Sequence, residues 1–366
     1  MRRTAIVFHE RYLWHQPGPH ASVIPAGGFV EPGLHAESPE RVRRIYSLVE
    51  VSGLGEKLAR VPAREATRKE LLRFHTAAYV DSVKAQSDAG HGDAGFHAPI
   101  GPSSYEIAAL SAGGCLSAVD AIVAGDVENA YALCRPPGHH ALADAGMGGC
   151  IFSNAVLAAL HAREVHGLER VAIVDWDAHH GNSAQVAFWD DPSVLTVSLH
   201  QADCFPPASG RVDETGGPGA PSSNVNLPLP PGSGTGAFAA AFARVAVPAL
   251  DRFRPELVIV ASGYDSCAWD PHARLMLHSD AYRELTRDLL GVADRHAAGR
   301  LVVVHEGGYA PAYAAFLGLA VIEELSGVRT EVEDPFLEIF SGYGYQELQP
   351  HQEAVIAEVA RLHGLD

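Results

Sequence analysis

Short apolar runs rich in valine, isoleucine and leucine recur along the chain, and each is followed by polar or glycine-rich residues. Near-continuous apolar runs of this length are typical of strands that are buried on both faces of a parallel sheet. The clearest runs are TAIVFHE, AYALCRPPGHH, VAIVDWDAHH, VLTVSLHQ, NVNLPL, LVIVASGYD and LVVVHEGGY. Seven buried strands of this kind limit the chain to a small set of layered folds.

Helical patterns lie between several of these runs. They cover residues 104–125, 154–166, 237–253 and 279–298, and a kink is expected at Pro248. Ser38-Pro39-Glu40 has the cap, the first-turn proline and the first-turn acid that open a helix. Because strands and helices alternate, we predict an α/β fold with a central parallel sheet.

The 366 residues contain no internal repeat and no shift in composition that would mark a boundary. A single catalytic domain over residues 1–366 is therefore the simplest organisation, although the chain is long for one domain. Long loops are predicted at the glycine- and proline-rich residues 15–37, 88–103, 206–222 and 228–236. Loops of this length in a compact domain usually have a function.

Composition excludes several classes of partner. A formal net charge of −17, without a dense run of lysine and arginine, repels nucleic-acid phosphate. We find no unbroken apolar run of transmembrane length, and the apolar part of MRRTAIVFHE is too short for a signal peptide. The five cysteines are odd in number and scattered, which favours a reducing compartment. We therefore expect a cytoplasmic protein with neither a nucleic-acid nor a membrane partner.

Four of the predicted strands end in unusual polar clusters: RPPGHH, DWDAHHGN, SGYDS and HEGGY. Ligands of open parallel α/β sheets bind at the carboxyl ends of the strands, so these clusters should meet at one edge. Asp177 and His179 are two residues apart, share a face of an extended segment and can chelate one cation, with Asp265 as a third ligand. One histidine and two carboxylates leave a coordination position open, which is typical of catalytic zinc, although other divalent metals accept the same ligands.

Two adjacent histidines follow a stiff Arg-Pro-Pro-Gly segment. A carboxylate partner keeps an imidazole protonated, whereas an amide partner leaves it free to act as a general base and then a general acid. His139 and His140 have both kinds of partner within reach, because Asp175 and Asn182 stand in a neighbouring cluster. Tyr309 follows two glycines that let the backbone pass close to a ligand, and a phenol beside a metal can stabilise an oxyanion. Together these groups indicate a metal-assisted hydrolase of an amide.

The ordered motifs RPPGHHA, MGGCIFSN, VAIVDWDAHHGN, TVSLHQADCFPP, SGYDSCAWDP and HEGGY resemble the histone deacetylase family, especially its bacterial class II-like amidohydrolases. The resemblance covers nearly the whole chain. It implies an arginase/deacetylase fold with about eight parallel strands. It also implies zinc bound by Asp177, His179 and Asp265, and an acylated amine or peptide as substrate. The remaining implied roles are a general base and acid (His140), an electrostatic partner paired with Asp175 (His139), a support for His140 (Asn182) and a transition-state tyrosine (Tyr309).

The resemblance further implies two structural potassium sites. The inner site would use Asp175, Ser198 and backbone oxygens of Asp177, His179 and Leu199. The outer site would lie near Phe188, Asp191 and Val194. Relatives also suggest a homodimer or homotetramer that is assembled through the long loops.

Three departures from the family pattern put the usual acetyl-lysine substrate in doubt. Gly148-Gly149 replaces a glycine-phenylalanine pair whose ring normally forms one wall of the substrate channel, opposite Phe205. His272 stands where a leucine is usual, so the rim becomes titratable. Phe96 stands roughly where relatives carry an acid, which leaves Asp93 as the nearest carboxylate for holding a substrate backbone. We expect a wider channel and a bulkier acyl-amide substrate unless Trp269 or Phe96 fills the gap.

Three alternatives remain open at this point. An arginase-like binuclear manganese hydrolase would share the fold, but it needs a carboxylate two residues after Asp265, where Cys267 stands. A catalytically silent acyl-binding protein would have lost a metal ligand or Tyr309, and all of these are present. An acetylpolyamine deacetylase would suit the negative charge, but His272 replaces the acid expected at its rim.

Overall fold

Eight parallel strands form the central sheet of the computed structural model, which describes residues 2–365. The strands are β1 Thr4–Val7, β2 Ala59–Arg60, β3 Asn129–Ala132, β4 Val171–Asp175, β5 Val194–Gln201, β6 Asn224–Leu229, β7 Leu257–Ser262 and β8 Leu301–His305. Their order across the sheet is β6-β5-β4-β7-β8-β3-β1-β2, and every neighbouring pair is parallel. The predicted α/β class with a sheet of about eight parallel strands is confirmed.

The apolar runs predicted both the place and the burial of the seven longer strands. All five residues of β4 and all six of β7 are buried. Successive side chains point to opposite faces of the sheet. In β7, Val258 and Val260 join one hydrophobic core, whereas Leu257 and Ile259 join the core on the other face. Both faces are therefore covered, as a near-continuous apolar strand requires.

Helices cover both faces of the sheet. They are α1 Glu40–Val51, α2 Arg68–Leu71, α3 Ala77–Ala89, α4 Ser104–Val123, α5 Asn154–Glu164, α6 Asn182–Ala187, α7 Thr235–Ala241, α8 Val247–Phe253, α9 Ser279–His296, α10 Pro311–Ser326, α11 Leu337–Ser341 and α12 Pro350–His363. The helix expected from Ser38-Pro39-Glu40 is α1, which begins at Glu40. A five-residue π-helical turn at 242–246 joins α7 to α8 directly before Pro248, which has no N–H to continue the regular pattern.

One helix, α4, is long and apolar enough to cross a membrane when judged by length and composition alone. In its most apolar 18-residue window, 78% of the residues are buried inside the protein. It packs against α5 and against β3, so its apolar surface is covered by the core. The helix therefore has the burial of a core helix in this fold.

Short paired segments lie at the carboxyl edge of the sheet, within the predicted long loops. His20–Ala21 pairs with Ile24–Pro25, and Gly92–Asp93 pairs with Pro99–Ile100. Gly95–Phe96 pairs in parallel with Gly146–Met147. The last pairing brings the loop before α4 against the double-glycine segment.

Candidate active site

The four polar clusters meet at the carboxyl edge of adjacent strands, as predicted. The strands β4, β7, β8 and β3 are consecutive neighbours in the sheet. Each cluster follows one of these strands directly, so four loops converge above the middle of the sheet. This edge is where open parallel sheets bind their ligands.

The three predicted metal ligands form one buried cluster. His179 Nδ1 lies 3.0 Å from Asp177 Oδ1 and 3.1 Å from Asp265 Oδ2, and the three donor atoms are all within 4.8 Å of one another. Burial and the negative charge of Asp177 raise the pKa of Asp265. Two carboxylates that face each other in a buried place need a compensating cation. The donor set of one imidazole and two carboxylates therefore fits a divalent ion with an open coordination position.

Backbone N–H groups fix the two carboxylates. The N–H of Gly307 donates to Asp177 Oδ2 at 2.8 Å, and the N–H of Ala178 donates to Asp265 Oδ1 at 2.8 Å. A Cβ on Gly307 would lie 2.1 Å from Asp265 Oδ2, so this glycine is required for the close approach of the HEGGY loop. The loops after β4, β7 and β8 are thereby tied together at the cluster.

The two histidines have unlike partners, as the sequence predicted. His139 Nδ1 lies 2.9 Å from Asp175 Oδ2, and His140 Nδ1 lies 2.7 Å from Asn182 Oδ1. Burial would lower the pKa of His139, but the charges of Asp177 and Asp175 outweigh it and raise that pKa to about 10. Burial, together with the positive charges of His139 and His179, lowers the pKa of His140 well below its usual value. One ring is thus held as a cation and the other as a neutral base.

Glu306 is a site residue that the sequence reasoning quoted within HEGGY but assigned no role. Its Oε2 accepts the backbone N–H of Gly138 at 2.7 Å and that of His139 at 3.1 Å. Burial raises the pKa of Glu306 to about 7. The carboxyl group anchors the loop that carries both histidines. Only the contact between β8 and β3, which are distant in sequence, reveals this role.

Tyr309 is held from both sides. Its backbone N–H donates to Asp270 Oδ2 at 2.6 Å, and the guanidinium of Arg41 lies 4.8 Å from the centre of its ring. The ring centre is 6.3 Å from that of His179. Burial raises the pKa of Tyr309, so the phenol keeps its proton and can donate a hydrogen bond. The roles of Asp270 and Arg41 were not predicted, because both act through residues distant in sequence.

A cavity of about 380 Å³ opens onto this centre. Its inner part is lined by His140, His179 and Tyr309, and its outer part by Phe96 and Phe205. The two phenyl rings are nearly parallel, with 6.2 Å between their centroids and an angle of 11° between their planes. A narrow aromatic channel therefore leads to the buried polar groups.

The two candidates for the missing wall lie in different places. Phe96 lines the cavity together with Phe205, whereas Trp269 packs on Phe336 at 4.6 Å between ring centroids and lines a separate surface depression. The wider channel that was expected in the absence of a replacement ring stays a prediction. Gly149 has a φ of +82°, and a Cβ there would face Glu37 Cγ at 3.3 Å.

The other predicted rim residues have local partners. Asp93 Oδ1 accepts the N–H of Gly95 at 2.9 Å and of Ala98 at 3.0 Å, so this oxygen holds its own loop. His272 lines the cavity, with its ring centre 4.6 Å from that of Tyr309 and its Nε2 3.0 Å from Ser22 Oγ. Contact of these residues with a substrate stays a prediction.

The residues assigned to potassium are also placed by the fold. Asp175 and Ser198 are paired in register on β4 and β5, and Ser198 Oγ accepts the N–H of Gly181 at 3.2 Å. The outer set, Phe188, Asp191 and Val194, lies between α6 and β5. There the Asp191 carboxylate already binds Arg163 at 2.7 Å. Both potassium sites stay predictions.

Fold and site together define an α/β hydrolase with a cluster of candidate metal ligands, a histidine pair and a tyrosine at the carboxyl edge of a parallel sheet. Comparison with known proteins agrees, because the histone deacetylase domain matches residues 35–325. The chain belongs to the histone deacetylase family.

Several relatives and one solved structure support this assignment. The chain is 53% identical to a histone deacetylase-like amidohydrolase of Pseudomonas aeruginosa, over 91% of this chain and 89% of that protein. It is 33% identical to a probable deacetylase of Archaeoglobus fulgidus, over 88% and 86%. It is 37% identical to human polyamine deacetylase HDAC10 over 84% of this chain, which spans 45% of that longer protein. The crystal structure of the HDA15 HD domain superposes with a TM-score of 0.86 at 30% identity, over 99% and 94% of the two chains. This protein is thus a deacetylase-like hydrolase of amides.

Proposed function

We propose that this protein is a zinc-dependent amidohydrolase that removes the acyl group from an acylated primary amine such as an acyl-lysine. The observation that carries the proposal is the meeting of three elements in one cavity. They are the buried metal-ligand cluster, the unlike histidine pair and the protonated Tyr309. Asp177, His179 and Asp265 would hold the ion.

When bound, zinc supplies the positive charge that polarises the amide carbonyl and acidifies a water molecule. His140 is neutral and lines the cavity, so its Nε2 takes the proton of the attacking water and later gives it to the leaving nitrogen. Asn182 orients that ring through Nδ1. His139 stays protonated beside Asp175, and its positive charge stabilises the negative charge that develops nearby. The phenolic O–H of Tyr309 donates a hydrogen bond to the developing oxyanion.

The environment of Cys267 argues against the arginase-like alternative. Its side chain is 1% exposed and belongs to the hydrophobic core, where burial raises the pKa of the thiol. A second manganese ion would need an ionised oxygen ligand at this position. The silent-binding alternative is also disfavoured, because the groups expected for turnover are present and face one another.

An acetylpolyamine substrate remains the second candidate, supported by the net charge of −17 and by the likeness to HDAC10. Against it, the carboxylate of Glu37 is the acid that lines the described cavity, and it is already paired with Arg41 at 3.0 Å and Arg135 at 2.7 Å. Both guanidinium groups contact Oε1, and their charges already offset that of the carboxylate, which makes Glu37 a poor site for a further cationic amine.

We also propose two bound potassium ions, a cytoplasmic location and a homodimer or homotetramer. The oligomer is supported by apolar side chains that project from the loop of residues 15–37. Phe29 is fully exposed there, and Ile24 and Leu34 are more than half exposed. Exposed apolar side chains that form a contiguous patch are typical of a contact with another chain, and these three residues lie on one loop.

The test is turnover of N-acetyl-lysine peptides and of an acetylpolyamine by metal-free and zinc-loaded protein. We expect activity only with zinc, and a higher kcat/KM for the peptide than for the polyamine. Asp265→Ala should abolish both zinc binding and turnover. Full activity without metal, or two ions per chain, would overturn the proposal.

A further inference from the structure

Phe96 reaches the substrate channel from a loop that is distant in sequence from the double glycine. The backbone N–H of Gly148 donates to Phe96 O at 2.9 Å, and that of Gly149 donates to His97 O at 2.7 Å. Gly95 and Phe96 pair in parallel with Gly146 and Met147. The segment that lacks an aromatic side chain therefore binds, through its backbone, the loop that supplies one.

The double glycine itself has little room for side chains. A Cβ on Gly148 would lie 2.8 Å from His140 Cδ2 and 3.0 Å from Phe205 Cε1, which is closer than such contacts allow. Gly149 lies in the left-handed region, where a side chain is strained, and its Cβ would meet Glu37 rather than Phe205. Phe205 in turn packs edge-on against His140 at 4.9 Å, so its ring is fixed directly above the catalytic pair.

We propose that Phe96 is a specificity-determining residue that, with Phe205, forms the channel wall for an unbranched alkyl chain on the amine side of the substrate. This inference rests on the proposed function. The natural substrates are then N-acyl derivatives of linear primary amines, with lysine side chains among them. Amides whose nitrogen carries an aryl or branched group are excluded, because they are wider than a methylene chain.

The distance between the rings makes Phe96 a movable wall. Carbon atoms in favourable contact are about 3.5–4.0 Å apart, so a methylene chain touching both rings needs about 7–8 Å between them. Because the ring planes are nearly parallel, the 6.2 Å between their centroids is the upper limit of the gap, which is therefore too narrow by at least about 1 Å. Phe205 is held by His140, whereas Phe96 is 51% exposed. Phe96 therefore retreats to admit the chain and closes against it.

The first experiment compares zinc-loaded wild-type protein with Phe96→Ala and Tyr345→Ala. Steady-state rates are measured on an N-acetyl-lysine peptide and on acetanilide, whose nitrogen carries a ring. We expect Phe96→Ala to raise KM for the peptide about four- to tenfold with kcat nearly unchanged, the scale for losing one half-buried phenyl contact. Its preference for the peptide over acetanilide should fall by a similar factor. Tyr345→Ala removes a ring that is 67% exposed and lies outside the channel, and it should behave as wild type.

The second experiment tests whether position 149 can replace the wall. The double variant Phe96→Ala, Gly149→Phe should not recover the peptide KM, because the backbone at 149 directs a side chain towards Glu37. Recovery of the wild-type KM would show that a ring at position 149 can take the place of Phe96, and it would overturn the inference that a side chain at 149 is directed away from the channel. An unchanged KM in Phe96→Ala would overturn the proposal.

Equilibrium binding separates this inference from the proposed function. The peptide is titrated into zinc-loaded His140→Ala protein, with and without Phe96→Ala, so that no turnover is needed. A dissociation constant that is four- to tenfold higher without the ring supports the role of Phe96 as a channel wall. This holds even if the wild-type protein hydrolyses neither compound, in which case only the proposed function fails. Equal dissociation constants with and without Phe96→Ala would contradict the role of Phe96 as a channel wall, whether or not the wild-type protein shows turnover.

Discussion

His139 and His140 are adjacent in sequence, yet the protein holds them in opposite protonation states. The pKa of His139 is raised to about 10, so this ring is protonated at neutral pH, whereas the pKa of His140 is lowered and that ring is neutral. We predict that His140→Ala lowers kcat by roughly 10²–10⁴-fold, the usual contribution of a general base, and that His139→Ala costs less. The rates are measured on zinc-loaded variants whose folding is checked by circular dichroism. A larger loss of kcat for His139→Ala would mean that His139 is the general base and that His140 has the electrostatic role.

Tyr309 is the second residue for which the structure sets an expected magnitude. Burial raises the pKa of its phenol, which therefore remains a hydrogen-bond donor up to high pH. Tyr309→Phe removes one donor to the oxyanion and should lower kcat by roughly 10²–10³-fold with little change in KM. Tyr345→Phe, at a side chain that is 67% exposed, is the matched control and should be neutral. A neutral Tyr309→Phe would mean that the phenol does not act on the reacting carbonyl.

The sequence was most informative about residues whose chemistry stands inside a short motif. The resemblance to known deacetylases implied that His139 pairs with Asp175 and His140 with Asn182, and the structure places both pairs in contact. The sequence assigned no role to Glu306, whose contacts depend on two strands meeting. It could not choose between Phe96 and Trp269 as the missing wall, because that choice depends on how a loop is held by backbone hydrogen bonds.

At the scale of elements, the contact between α4 and α5 contains a histidine–carboxylate cluster outside the active site. His161 Nε2 and His166 Nε2 lie 2.6 Å and 2.7 Å from the same oxygen of Asp120. These three groups are close enough to suggest a metal site. However, Arg73 Nη1 can only donate, and it lies 3.0 Å from His161 Nδ1. Nε2 of His161 therefore carries the proton, and the cluster is held by hydrogen bonds.

The cluster gives a prediction for stability. Burial would raise the pKa of Asp120, but hydrogen bonds from both histidines outweigh it and lower that pKa to about 2. A depressed folded-state pKa stabilises the protein above the unfolded value of about 4, and this stability is lost as pH falls towards 2. Asp120→Asn should cost roughly 1 kcal/mol or less at pH 7, because the carboxylate is 41% exposed and screened. The free energies of unfolding of the wild-type protein and of Asp120→Asn are measured in urea at pH 7 and near pH 3. The difference between the two proteins should be smaller near pH 3. A constant difference would exclude the charge as its cause.

Element boundaries show where local patterns stop being informative. The edge strand β2 has two exposed residues and no apolar run, so nothing in its sequence indicated it. The helix with Pro248 was expected to kink, and the structure has a π-helical turn at residues 242–246, just before this proline. In both cases the neighbouring elements decide the backbone, through pairing with β1 or packing in the core.

For the whole molecule, alternation of strands and helices predicted the class of fold but not the order of the strands. β3 lies between β8 and β1, and β7 lies between β4 and β8. This order brings four loops from distant parts of the chain to one place. A pattern along the sequence has no information on which strands become neighbours, because each buried strand would pair equally well with several others.

The convergence of these loops on one buried cluster means that the metal should stabilise the whole fold. Without a cation, the carboxylates of Asp177 and Asp265 repel each other in a buried place, and the loops after β4 and β7 lose a shared ligand. An ion present at a thousandfold excess over its dissociation constant adds about 4 kcal/mol, which for a chain of 366 residues raises Tm by about 5 °C. We predict this difference between zinc-loaded and chelator-treated protein in a thermal scan. Asp265→Asn should abolish the shift, whereas Asp120→Asn should retain it. The reverse pattern would place the stabilising ion between α4 and α5 and leave the catalytic cluster without one.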